Sequence, residues 1–342
     1  MSLKNLSVVI KIPKLFKDKL QNKKIRQIYN KFETSLNIKE NFVVAVSGGP
    51  DSLALAFLSK IYSIKNKLTS KFYIIDHKLR SESTKEAKKV KQVLKKYQIN
   101  AKILTWKGKK PKKRIQSEAR EKRYDLLFYQ CDKLNINNIL LGHHQDDLIE
   151  NFFLRMLRGS GLKGLVSLDK EITFKNKKLF RPLLDQKKID LIYLSNYVFN
   201  FYVEDPSNTN EKYLRIVVRK LINNLKKNGL DDNKLLNTIK NLKYSNKTVD
   251  FYVNKNLQKN TFFHEKEKKF ILSKKFFQQS YEVNFRSLSI LINLIGKKYY
   301  SVRGKKIDNI IESIKNDSLF KATLGGCIIE KVNQTVIISK EY

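Results

Sequence analysis

From residue 41 the chain alternates short β-branched runs with stretches whose apolar residues recur every three or four positions. Phe42 to Val46 (FVVAV) reads as a buried strand ending in a glycine turn, and Leu53 to Ile61 follows with helical spacing. Phe72 to Ile75, Ala101 to Trp106 and Ile139 to Leu141 repeat the strand pattern; Glu82 to Tyr97, Ile115 to Cys131 and Asp146 to Leu157 repeat the helical one. Strand–helix units in series predict a parallel sheet covered on both faces, a doubly wound α/β domain.

The regime changes near Asn228-Gly229, where the polar stretch KKNGLDDNK interrupts the pattern. Residues 234–258 then read as helical. From about 268 follow a strand (FILSKK), a helix through Ile295, a helix from Lys306 to Ile314 and a short β tail (FKATLGGCIIEKVNQTVIIS). The expected organisation is therefore 1–228, an α/β domain; 229–262, a helical linker; and 263–342, a small α+β domain.

Composition narrows the class of partner. Against 32 Asp+Glu stand 70 Lys+Arg, a formal charge of +38 on 342 residues, which favours a polyanion, nucleic acid first. The alternative is base-composition drift that leaves solvated basic faces without a partner. The basic run Lys107 to Arg114 (KGKKPKKR) is equally a surface loop or an RNA contact. A hydrophobic fraction of 41% excludes a disordered chain. Two distant cysteines, Cys131 and Cys327, build neither a disulfide framework nor a CxxC site. No run of about 18 apolar residues occurs. A soluble, cytoplasmic protein with no membrane partner is expected.

Ser47-Gly48-Gly49-Pro50-Asp51-Ser52 lies directly after the first strand and before a helix. Glycines let the backbone approach a ligand, and a helix start presents unpaired N–H groups and positive potential, so the turn can cradle phosphate. It is neither a Walker A loop nor GxGxxG. An aspartate in such a cradle repels phosphate unless a cation intervenes, which makes Asp51 a candidate magnesium ligand. A plain turn with Asp51 or Ser52 as helix cap is the competing reading. The segment resembles the SGGxDS signature of the N-type ATP pyrophosphatases, also called PP-loop enzymes, which implies ATP binding by Ser47, Gly48, Gly49, Pro50, Asp51 and Ser52.

Further segments narrow the resemblance. Asp76-His77-Lys78-Leu79-Arg80-Ser81-Glu82-Ser83 follows the second strand, at the edge where ligands of such sheets collect. In Ile115 to Tyr124, Arg120 and Arg123 share a helix face and can reach phosphates together. In Gly142-His143-His144-Gln145-Asp146-Asp147-Leu148-Ile149-Glu150, a helix starting near His144 gathers His143, Asp147 and Glu150, a set that can place a metal, take a proton, or do both. Zinc is the competing reading, without HExxH or a nearby cysteine to support it. These segments are similar to the DHxLRxES, A-R-x-x-R-Y and HHxDDxxE motifs of the tRNA(Ile)-lysidine synthase family. The likeness continues through Arg155, Arg158, Gly159, Ser160 and Gly161, the RPLL at Arg181 to Leu184, and Asp205-Pro206-Ser207-Asn208 with Arg215 and Arg219. Ile216 stands where that family usually has Asn. A sparser likeness covers Tyr299 to Arg303 and Thr323 to Cys327, where Gly325-Gly326 also reads as a plain hairpin turn.

The resemblance implies an enzyme that uses ATP, with magnesium, to adenylate the wobble cytidine of an isoleucine tRNA bearing a CAU anticodon. Free L-lysine then displaces AMP to give lysidine. It also implies catalytic roles for Asp51, His143, Asp147 and Glu150, and substrate or phosphate contacts from Asp76, His77, Arg80, Arg120, Arg155, Arg215 and Arg219. Whether Asp147 takes the lysine proton or orients the base stays open, as does monomer against homodimer. The rivals are another PP-loop enzyme, a tRNA thiolase or an amide-forming synthetase, and a non-catalytic RNA-binding protein.

Overall fold

The computed structural model describes residues 12–78, 81–106, 108, 115–204, 214–297, 302 and 304–341. Arg80, most of the basic run 107–114, Asp205 to Asn208, and Tyr299, Tyr300, Ser301 and Arg303 lie outside the described residues. The chain divides into two compact units, Met1–Leu235 and Leu236–Tyr342.

In chain order the first unit holds α1 (Lys14–Leu20), α2 (Lys23–Ser35), β1 (Phe42–Val46), α3 (Pro50–Lys65), β2 (Ser70–Asp76), α4 (Ser83–Lys96), β3 (Ala101–Thr105), α5 (Ile115–Lys133), β4 (Asn138–Leu140), α6 (Gln145–Met156), α7 (Leu162–Leu165), β5 (Glu171–Phe174), β6 (Lys177–Phe180), α8 (Lys188–Phe199) and α9 (Leu214–Lys227). Its six-stranded sheet runs β3-β2-β1-β4-β6-β5. All neighbours are parallel except the edge pair β5–β6.

β1 is central and apolar at every position because both of its faces are covered. Phe42, Val44 and Val46 pack in one core with α2, α3, α4 and α8. Val43 packs in a second core with Tyr73, Ile139, Leu179 and the α5 residues Leu127, Phe128 and Cys131. Helices after β1 and β2 lie on one face and the helix after β3 on the other, as right-handed crossovers require when the strand order reverses about β1. The crevice at the carboxyl ends of β1 and β4 is therefore the topological switch point, where ligands of such sheets bind.

α10 (Asp232–Asn260) begins in the first unit and continues into the second. The second unit adds β7 (Thr261–His264), β8 (Lys269–Leu272), a 3₁₀ turn at Lys274–Gln278, α11 (Tyr281–Gly296), α12 (Gly304–Lys315), β9 (Lys321–Leu324), β10 (Cys327–Val332) and β11 (Thr335–Lys340). Its antiparallel sheet, β7-β8-β11-β10-β9, shares a core with α11 and α12. The expected strand FILSKK is shorter than its apolar run: it stops at Leu272, and Phe276 and Phe277 are buried from the 3₁₀ turn instead. Gly325 and Gly326 form the two-residue β9–β10 turn, with φ of 68° and 83°. Such a turn needs positive φ at both centres.

Candidate nucleotide and catalytic site

The glycine turn is held from three sides. Ser195 of α8 donates to the Pro50 carbonyl (2.6 Å), and the Val203 N–H donates to the Gly48 carbonyl (2.9 Å). Ser52 Oγ accepts from the Ser47 and Gly48 amides (3.1 and 3.0 Å) and donates to the Gly49 carbonyl (2.9 Å). Two amides and the Ser52 hydroxyl are thus spent on shaping the bend. Pro50 has no N–H, so the anion-facing donors left at the start of α3 are the amides of Asp51 and Ser52, which no helical carbonyl can reach.

Gly48 sits at φ 93°, and a Cβ there would lie 2.6 Å from a Val90 methyl. The β4–α6 connection packs against the start of α3: a Cβ on Gly142 would stand in contact, 3.4 Å from Asp51 and Ser52 backbone atoms. The two strand-end loops thus press together at the switch point.

His144 joins them. It caps α6, forms a parallel bridge with Leu183, and is buried. Its Nε2 lies 3.5 Å from Asp51 Oδ2 and 3.4 Å from Asp147 Oδ2, and its backbone N–H donates to Asp147 Oδ2 at 3.0 Å. Burial pulls the imidazole pKa down, but the hydrogen bond and charge of Asp51, with the charges of Asp147 and Asp146, outweigh it and hold the pKa above the usual histidine value. Asp51 Oδ1 is buried without a hydrogen-bond partner among the described residues.

On the next turn Asp147 and Glu150 converge on α9. Arg215 bonds Asp147 through Nη2 and Glu150 through Nε (2.6 Å), and Arg219 Nε meets Glu150 Oε1 at 2.5 Å. Burial works against ionisation of Asp147, yet His144, Arg215 and His143 hold its carboxyl below the usual range. Ile216, in place of the usual Asn, is buried on α9, next in sequence to Arg215.

His143 and His77 mark the rim. Burial pushes His143 down to about 3, with Asp147 pulling upward and Arg181, Arg120 and Arg215 adding repulsion; its Nδ1 is buried and unpartnered. Burial and Arg123 push His77 down to about 4 against the pull of Asp76, and its Nδ1 is likewise unpartnered. Asp76 faces inward and ties the β2–α4 loop, accepting from the Lys78 amide (3.0 Å), Ser83 Oγ (2.9 Å) and Thr84 Oγ1 (2.7 Å). Arg120 is exposed, 5.8 Å from the Tyr124 ring centroid, and Arg155 is half-buried.

Two residues escaped the sequence reading. His144, not His143, touches both Asp51 and Asp147, and buried Arg181, its Nη1 on the Asp169 carbonyl at 2.7 Å, adds positive charge that pushes His143 toward its neutral form. The adjacent His pair and the Arg of RPLL were the available signals.

The comparisons agree with this geometry. The PP-loop domain family model matches residues 18–225, so this is an ATP-binding PP-loop domain. Over most of its length the chain aligns with proteins named tRNA(Ile)-lysidine synthase. It is 36% identical to that of Orientia tsutsugamushi (87% of this chain, 69% of that protein), 32% to that of Wolbachia pipientis (91% and 73%) and 29% to that of Rickettsia felis (92% and 74%). The chain belongs to the tRNA(Ile)-lysidine synthase family. Among solved structures, a U34-tRNA thiolase from Methanococcus maripaludis shares the fold at a TM-score of 0.56 and 18% identity, over 64% of this chain and 78% of that one.

Proposed function

We propose that the protein is a lysidine-forming ligase: it adenylates the wobble cytidine of CAU-anticodon isoleucine tRNA with ATP and joins free L-lysine to the base, releasing pyrophosphate and AMP. The observation that carries this reading is the meeting of Asp51, His144 and Asp147 where the β1 and β4 loops close on each other.

ATP phosphates lie against the leading amides of α3, where the helix dipole and unpaired N–H groups favour negative charge. Magnesium fits Asp51, whose Oδ1 is buried with no partner among the described residues; the ion typically takes one or two carboxylates and completes its shell with phosphate and water. Bound there, it would neutralise phosphate charge as pyrophosphate leaves. His144 fixes the Asp51 carboxylate toward the turn. Asp147 and Glu150 hold Arg215 and Arg219, cations suited to the tRNA or nucleotide phosphates.

In the second step the lysine amine forms a bond to the activated ring carbon, the carbon–oxygen bond to AMP breaks, and the nitrogen sheds a proton. A free lysine amine, with a pKa of about 10.4, arrives protonated. Asp147, kept ionised, draws the ammonium and either takes its proton or orients the base, while His143, held neutral by burial, is too weak a base to take that proton itself. A thiolase reading is less favoured: Cys131 is buried in the α/β core with its thiol pushed up to about 11, and Cys327 is buried in the other unit.

The test supplies purified protein with the CAU isoleucine tRNA transcript, ATP and labelled lysine. Lysine incorporation matched by AMP release is expected, and ATP turnover driven by a different substrate instead would refute the assignment. Asp147→Asn should lower incorporation by about 10²-fold or more and leave tRNA affinity within a few-fold; near-normal turnover in that variant would remove Asp147 from the chemistry.

A further inference from the structure

We infer that the solvent face of α10 is an RNA-binding track, with lysines on phosphates and aromatic rings against unpaired bases. This deepens the proposed function by placing part of its RNA substrate, and rests on that reading only for which RNA is bound.

Along α10, Lys240, Tyr244, Lys247, Phe251 and Lys255 follow one another at spacings of four, three, four and four, so they form one stripe up the helix. At a rise of 1.5 Å per residue it is roughly 22 Å long. Tyr252 and Lys259 flank it. The rings are open to solvent, Tyr244 at 54%, Phe251 at 62% and Tyr252 at 50%. Lys240 lies 5.8 Å from the Tyr244 ring centroid and Lys255 6.0 Å from that of Tyr252. Between 240 and 259 the one acidic residue, Asp250, has a partly exposed side chain that is turned to Arg286 and paired with it. Among the described residues the three stripe lysines and the flanking Lys259 have no carboxylate partner.

The opposite face is fixed. Arg286 of α11, a buried cation, bonds Asn246 (2.7 Å) and Asp250 (2.9 Å), while buried Asn256 bonds Ser287 (3.2 Å) and the Phe276 carbonyl (3.3 Å). These buried polar contacts set the helix rotation and hold the stripe outward. Lysines alternating with exposed rings match a single-stranded nucleic acid, whose phosphates need cations and whose bases stack on any aromatic face. A second copy of the chain would bring lysines against lysines. A lipid surface would meet rings interspersed with Asn, Ser, Thr and Gln rather than a continuous apolar band.

The test measures binding of the full chain to a tRNA transcript and to oligouridylate at several salt concentrations. It compares wild type, K240Q/K247Q/K255Q/K259Q, Y244A/F251A, and K88Q/K91Q/K95Q/K96Q on α4 as an equal-charge control, each checked for an unchanged melting temperature. The stripe lysine variant should lose at least about tenfold in affinity and about 3 from the log–log salt slope. Y244A/F251A should lose about tenfold at an unchanged slope, the α4 control should stay near wild type, and 5-bromouridine in bound RNA should photocrosslink to the 244–252 segment of the wild-type chain. RNA affinity unchanged in both stripe variants, equal loss in the α4 control, or no RNA binding by wild type overturns the inference. So does a defect confined to phosphatidylglycerol vesicles or to self-association. Loss of RNA binding in the stripe variants without lysine incorporation by the wild type would sustain the track while refuting the ligase reading.

Discussion

At the scale of single residues the site is built from histidines in opposite electrostatic states. His77 and His143 are kept neutral by burial and neighbouring arginines, with pKa values down to about 4 and about 3. A folded pKa below the unfolded value of about 6.5 means that the unfolded chain binds protons first as pH falls. Stability should therefore be unaffected by these two groups above about pH 6.5 and should drop between there and about pH 4. Thermal melts of wild type, His77→Gln and His143→Gln across pH 4–8 check this: each variant should show a shallower acid loss, and parallel curves would contradict it. The SGGPDS turn and the Asp147/Glu150 pair were legible from sequence because their chemistry follows from residue type and position after a strand. The division of labour between His143 and His144 was not, since adjacent loop residues point in different directions and only the Leu183 bridge decides which imidazole turns toward Asp51.

At the scale of elements, the strands and helices that bury two faces or one clean stripe were readable, and those with mixed faces were not. The β5–β6 hairpin hides because Lys177 points inward, its Nζ 2.6 Å from Asp132 and 2.9 Å from Asn137, so a lysine occupies what sequence would score as a solvent position. β7 hides because Phe262 and Phe263 are exposed. Two substitutions test how elements hold the site. Gly48→Ala places a methyl group 2.6 Å from Val90 at positive φ, so it should cost about 1–3 kcal/mol and raise the KM for ATP as the bend shifts; an unchanged melting temperature and KM would refute the close approach. Ile216→Asn restores the residue usual in the family, yet the side chain is buried. Burying that amide should cost about 1–3 kcal/mol with no gain in turnover. A more active variant would mean that the missing polar contact is real and vacant here.

At the scale of the whole molecule, charge and architecture make separate demands. The groups proposed to meet phosphate, a few amides, Asp51 and arginines, all lie in the first unit, within the span the family model matches. The formal +38, by contrast, is spread over both units. Binding of a nucleotide at one bend neutralises few charges and should weaken only modestly between about 50 and 200 mM salt. RNA binding that uses several lysines releases a counterion for nearly every phosphate engaged, so 6–10 contacts should cost about 10³–10⁵ in affinity over the same range. Titrating labelled ATP and labelled tRNA separately against salt distinguishes the two demands. A tRNA slope as shallow as the ATP slope would mean that the basic composition is solvated surface with no polyanion to serve, leaving the lysine-rich helices as products of codon usage rather than recognition.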